Sequence, residues 1–257
     1  MAMPIWIDSW LALPAGLLIA SAVSIVGIGG GILWMPFFII VMKMPPDLAV
    51  LTSLLIQTAG MGSGSAAYIR KKQVDVQLVL FFLAVTIPGI AGGAWLAHMM
   101  QPEKLETVLG AIALTTAMLF VSASHGYNDL GNKRADLKTA RRYGVITSIL
   151  AVFSGLLSVS IGEWLVPMLR SRLSLKMGVA IGSSITIIFG NCVSGALFHY
   201  LLGSRPDLAV VLWAVPGVLI GGQIGPHIAS RINDRMLKEV FIFFLTLVGI
   251  HLIYNSF

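Results

Sequence analysis

The chain has 257 residues, of which 57% are hydrophobic and 11% charged, and its formal net charge is +6. A soluble domain carries about 25% charged residues, so this chain has too little charge to cover a water-facing surface. The basic residues stand in short clusters between apolar runs, as the positive-inside rule requires, which argues against a nucleic-acid partner.

The N-terminus begins Met1-Ala2-Met3-Pro4 and has no basic n-region. No cleavable signal is expected, so the first apolar stretch stays in the fold. That stretch, 9–42, is uncharged and interrupted by the run Gly27-Ile28-Gly29-Gly30-Gly31. The runs 48–69, 76–100 and 105–124 follow. Each is near the ~20 residues that a spanning helix needs. None has the alternating ~10-residue pattern of a membrane barrel, so helices are expected throughout.

The second half opens on the basic segment 133–142. The run 143–169 is broken only by Glu163, and 177–202, 208–230 and 239–257 follow it. The single cysteine, Cys192, excludes an intrachain disulfide and a cysteine-rich metal site.

The two halves resemble each other. Gly31 and Pro36 match Gly162 and Pro167 at an offset of 131, and Thr52, Ser53 and Gly64 match Ser183, Ser184 and Gly195 at the same offset. This predicts a first repeat over 1–132 and a second over 133–257. Basic loops at 70–72, 133–142, 170–176 and 231–238 are assigned to the cytoplasm of an inner-membrane protein. Three spans per half then alternate, but 143–169 connects two cytoplasmic loops. A re-entrant hairpin that turns at its glycine-containing motif accounts for this, and 9–42 is its counterpart from the other side. The fold class expected is an all-α integral membrane protein of two inverted repeats, each a broken hairpin plus three spans. Each hairpin segment is also long enough to be one kinked span, which leaves two topologies open.

Gly29-Gly30-Gly31-Ile32-Leu33-Trp34-Met35-Pro36, its echo Ser160-Ile161-Gly162-Glu163-Trp164-Leu165-Val166-Pro167, and the later Pro-Gly elements resemble the TauE/SafE sulfite exporter family over about 11–253. The resemblance implies a permease for small sulfur-containing or carboxylate anions. It departs from the family pattern where Ser160-Ile161-Gly162 and Glu163 replace a glycine run.

An anion crossing lipid must exchange its water for donors. The N-terminus of a half-helix supplies free N–H groups and a partial positive charge. Gly27, Gly29, Gly30 and Gly31 are candidates at one tip, with Ser158, Ser160 and Gly162 at the other. Ser53 and Gln57 share a face of one span, and Ser184 and Asn191 a face of its counterpart. Glu163, the acid inside an apolar run, is the candidate for carrying a coupling proton. His98, His199, His227 and His251 lack metal-site spacing, and His199 aligns with Tyr68. Cys192 is a packing residue or a thiol beside the site. Trp6, Trp10, Trp95 and Trp213 include interface anchors. No cofactor, metal or enzymatic motif is expected. The expected partners are the anion, the bilayer and a second copy of the chain as a homodimer. The function expected is a secondary transporter, an exporter of a small organosulfur or inorganic sulfur anion with alternating access around a midplane site between the repeats; an anion channel or a carboxylate permease of the same architecture is the alternative.

Overall fold

The structure, a computed structural model, describes residues 9–122 and 131–228, with a few helical positions between 239 and 254. Trp6, the end of the run 105–124, the basic loop 231–238 and much of 239–257 lie outside the described residues.

Every regular element described is helical. After a 3-10 turn at Ser9–Leu11 come α1 (Ala12–Val26) and α2 (Gly31–Pro36), then a π-helical turn at Phe37–Val41. Pro36 has no N–H and its ring crowds the preceding turn, which widens the helix there. Next are α3 (Pro46–Arg70), α4 (Val76–Met99) and α5 (Pro102–Ser122). The second half holds α6 (Leu137–Arg141), α7 (Gly144–Leu157), α8 (Gly162–Ser171), α9 (Met177–Leu201) and α10 (Leu208–Ile228). Ser9–Val26, Val76–Met99, Met177–Leu201 and Leu208–Gly225 are long and apolar enough to cross a membrane. The chain is an integral membrane protein. Leu18, Val145 and Leu212, each at least 70% exposed, are apolar side chains with no described residue over them, as a lipid-facing surface requires.

Packing is close and small residues set it. Gly89 and Gly93 of α4 lie against the carbonyls of Ser148 and Val152 in α7. Gly217 and Gly221 of α10 lie against the carbonyls of Leu13 and Leu17 in α1. Small residues let helix backbones touch in this way, and dispersion between them replaces the hydrophobic drive that lipid removes. In both pairs the two helices run in the same direction, α7 beside α4 and α1 beside α10. α3 and α9 pack on each other at the centre.

Several contacts recur with both partners shifted along the chain. Tyr68 Oη donates to Ser24 O at 3.1 Å, and 131 residues on, His199 Nε2 meets Gly155 O at 2.6 Å. Asp207 N donates to Thr52 Oγ1 at 2.9 Å, and Asp75 N to Ser183 Oγ at 2.9 Å. Asp75 and Asp207 also cap their helices, α4 at Leu78 N and α10 at Ala209 N and Val210 N.

The basic loops that are described gather at one end. Asn132 N donates to Ser174 O and Lys176 N to Asn132 O, which joins the start of the second half to the end of α8. Asp75 Oδ2 accepts from Ala135 N at 2.8 Å and holds the same loop to α4. Asp136, fully exposed, caps α6 through Thr139 and Lys138, and those bonds hold its carboxyl below the usual carboxylate range. The contribution of that cap is present above the unfolded carboxyl's pKa and lost as pH falls through the lowered one.

Asp75→Ala removes both the α4 cap and the tie to Ala135. It should lower stability by about 1–2 kcal/mol, read as a lower melting temperature in detergent. An unchanged melting temperature would show that the loop tie is dispensable.

Candidate functional site

The two broken segments meet in the interior. α1 ends at Gly27, whose φ of 81° is left-handed, and Gly27 N closes on Val23 O at 2.8 Å. α7 ends at Ser158, also left-handed at φ 59° and also 131 residues further on. A non-glycine residue in that region is strained, so Ser158 is held there by its partners. Its Oγ donates to Ser53 Oγ at 3.0 Å and accepts from Gln57 Nε2 at 2.7 Å, and its carbonyl accepts from the same amide at 3.1 Å. Gly27 O in turn accepts from Ser184 Oγ at 2.9 Å. Ser53 and Ser184, which are 131 apart, thus each hold the tip of the opposite half.

At the centre, Gly29 N donates to Ser160 Oγ at 2.7 Å, and these two residues are themselves 131 apart. A contact between a residue and its own counterpart lies where an exchange of the halves would place its axis. Around it, Gly31 lies against the carbonyl of Ser158, while Gly162 lies against the carbonyl of Gly27. No Cβ fits at Gly29, where the Ser160 side chain already stands, or at Gly31, where backbone does. Gly30 is less confined: a Cβ there would meet the indole of Trp34 at 3.0 Å. Trp34, one turn on, is 1% exposed and stacks on Phe38 at 5.1 Å.

Two features break the likeness of the halves. Gln57 corresponds to Ile188, so only one side of the crossing has an amide. Gln57 is 1% exposed, and its Oε1 has no partner among the described residues. Glu163, 8% exposed in the first turn of α8, stands where the first half has Ile32. Its carboxylate accepts from Ser160 Oγ at 3.3 and 3.5 Å. Ser160 Oγ also accepts from Gly162 N at 3.2 Å, so one hydroxyl joins both tips and the acid.

Of the residues predicted, Gly29, Gly30, Gly31, Ser53, Gln57, Ser160, Gly162, Ser184 and Glu163 gather at this crossing. Asn191 does not. Its Oδ1 accepts from Thr86 Oγ1 of α4 at 2.7 Å, and its Nδ2 lacks a partner among the described residues. Cys192 is 2% exposed within the core. No group of three or more metal-binding side chains is found among the described residues. The sequence reading left Trp34, Tyr68 and Thr86 without a role. Trp34 follows Gly30 by one helical turn, and that spacing was the available signal.

Residues 12–252 match the family model described as Sulfite exporter TauE/SafE. YunE of Bacillus subtilis strain 168, described as a probable membrane transporter protein, is 24% identical over 94% of this chain and 96% of its own length. YjnA of the same organism, described in the same words, is 23% identical over 93% of this chain and 97% of its own. YfcA of Escherichia coli K12, again a probable membrane transporter protein, is 21% identical over 93% and 87%. No solved structure matches the chain. The chain belongs to the TauE/SafE family.

Gly31→Ala sets a methyl against the Ser158 carbonyl, so the tips must separate. A fall in melting temperature of several degrees is expected, as for about 1–3 kcal/mol of overpacking. Gly92→Ala, with nothing within 4 Å of the added carbon, should leave the melting temperature nearly unchanged. Equal behaviour of the two would mean the crossing is not close-packed.

Proposed function

We propose that this TauE/SafE chain is a secondary transporter, working as an exporter, of a small organosulfur or inorganic sulfur anion such as sulfite or a sulfonate. The observation that carries the reading is the crossing, where two helix breaks meet at corresponding residues, Gly29 and Ser160, inside an apolar bundle. The donors there are now satisfied by one another. Gly29 N–H is held by Ser160, and the Gln57 amide is held by Ser53 and Ser158. If the tips part, those donors are released together, and an anion can replace the hydroxyls that held them. Close packing leaves no route through the crossing while it is shut, so binding and opening are coupled. Gly29, Gly30, Gly31, Ser53, Gln57, Ser160, Gly162 and Ser184 are the binding residues on this reading. Asn191 acts through the α4–α9 contact.

The halves are taken as inverted repeats with re-entrant hairpins at 9–42 and 143–169. α7 starts beside the first turns of α4 and follows it inward, and the chain after α8 returns to Asn132, next to where the second half began. α1 follows α10 inward in the same manner. The loops around Lys43, Lys104 and 203–207 then face outward.

On this reading Glu163 carries the coupling proton. As a carboxylate it would repel an anion at the crossing; as the neutral acid it would not. Protonation and anion binding would then favour each other.

The test is flux of radiolabelled sulfite, thiosulfate, sulfoacetate and lactate in proteoliposomes, with and without a pH gradient. Saturable flux of a sulfur anion that responds to the gradient is expected. Non-saturating flux would make the protein a channel, and preference for lactate would make it a carboxylate permease. Gln57→Leu should reduce flux at least tenfold, about 1.4 kcal/mol or more. Glu163→Gln should flatten the pH dependence; an unchanged profile would remove its proton role.

Topology has its own test. Cys192 is buried, so single cysteines placed at Lys138, Arg172 and Arg205 in an otherwise unaltered chain report cleanly. The first two should react with an impermeant maleimide only from the cytoplasmic side and the third only from outside. Opposite labelling of positions 138 and 172 would make 143–169 a kinked span.

A further inference from the structure

A cavity of about 480 Å³ opens at the end of the bundle away from the basic loops. It is formed by the start of α3, the end of α4, the start of α5 and the end of α9 with the turn that follows. The titratable and charged groups around it are Asp47 from α3, His98 from α4, His199 from α9 and Arg205 from the turn, while α5 contributes Leu105. Asp47, His98 and Arg205 are exposed at its mouth, whereas His199 is 2% exposed and lies at its floor.

Arg205 is held in place. Its guanidinium carbon lies 5.6 Å from the centre of the Tyr200 ring, in cation–π contact. Ser204 N donates to His199 O at 3.0 Å, which fixes the turn on the end of α9. The floor is tied to the crossing. A carbonyl only accepts, so His199 Nε2 carries the hydrogen in its bond to Gly155 O, one turn before the Ser158 tip. The counterpart contact, Tyr68 with Ser24, has no imidazole, so the two faces of the bundle differ at this level.

We infer that this cavity is an anion-receiving subsite. In it the Arg205 guanidinium, with His98 beside it at the mouth, holds a small hydrated oxyanion of the sulfonate, sulfite or carboxylate class at the outer face, apart from the crossing. The inference rests on the transport reading, because it supplies that reading with the place where the anion waits on one side. A volume of about 480 Å³ is more than a bare oxyanion fills and leaves room for its water. Arg205 is the permanent cation of the cavity, and its planar fork of N–H donors matches two oxygens of such an anion. The subsite therefore takes the anion by its oxygens, and desolvation is left to the crossing.

The experiment has two readouts on the full-length protein. Equilibrium binding of radiolabelled thiosulfate, sulfite and sulfoacetate is measured on purified wild type, Arg205→Gln and Arg205→Lys. Flux of the same anions is measured in vesicles of defined orientation. For Arg205→Gln, binding about fivefold weaker or more is expected. KM should rise for flux starting at the Arg205 face, with the maximal rate within about twofold of wild type. Arg205→Lys should recover most of the loss. Raising salt from about 0.05 to 0.5 M should shrink the difference between wild type and Arg205→Gln. Wild-type binding and KM in Arg205→Gln would overturn the subsite and leave the transport reading intact. Arg205-dependent binding without flux of any anion would overturn the transport reading and leave the subsite. Neither binding nor flux in wild type would overturn both.

Discussion

A helix that stops inside an apolar bundle exposes N–H and C=O groups where no water can reach them. Two helices stop in this way here, and each finds partners in the other half of the chain. Gly27 O takes a hydroxyl from Ser184, and Ser158 O takes the Gln57 amide. Gly29 N–H takes the Ser160 hydroxyl. An unpaired group of this kind costs about 1–3 kcal/mol, so the breaks persist only while both halves stay assembled. The glycines serve the same constraint. They bring one tip's backbone near enough to the other tip for hydroxyl groups to close the remaining gaps.

This arrangement ties stability to function. The donors that satisfy the broken ends are the donors an oxyanion needs. On the proposed reading, an anion does not enter a vacant hole but takes over hydrogen bonds that the closed protein makes with itself. The rest of the bundle supports this. α1 on α10 and α7 on α4 pack through small residues, so each broken segment is backed by a long helix from the other part of the chain. Asp75 and Asp207 fix where those spans begin.

Much of this was legible in the residues. Uncharged runs located the helices to within a few residues, because lipid demands length and apolarity together. The predicted span 48–69 is Pro46–Arg70 in the structure, and 177–202 is Met177–Leu201. A glycine run in a long apolar stretch marked the first break, and its degenerate echo at Ser160-Ile161-Gly162 marked the second. The offset of 131 identified Gly31 with Gly162 and Ser53 with Ser184 before their contacts were known. For Asn191, spacing gave a helix face but not the partner it meets, which is Thr86 on α4. Only its place 131 residues after Gly27 hinted at the left-handed backbone of Ser158, which is no glycine, and Trp34 read as an ordinary apolar residue. Neither the cavity beside Arg205 nor the burial of His199 could be read at all, since both depend on four helix ends converging.

If the chain is a carrier of two matching halves, as proposed, the mismatch of Gln57 with Ile188, and of Glu163 with Ile32, has an energetic result. Perfectly matched halves would make the inward-facing and outward-facing forms mirror each other in free energy, and each would hold half the molecules. An amide and an acid present on one side only remove that degeneracy. An imbalance of about 1.4 kcal/mol skews the resting population tenfold. On the proposed reading, the substitutions that spoil the internal likeness also set which way the empty carrier rests, and bound anion or proton then works against that bias.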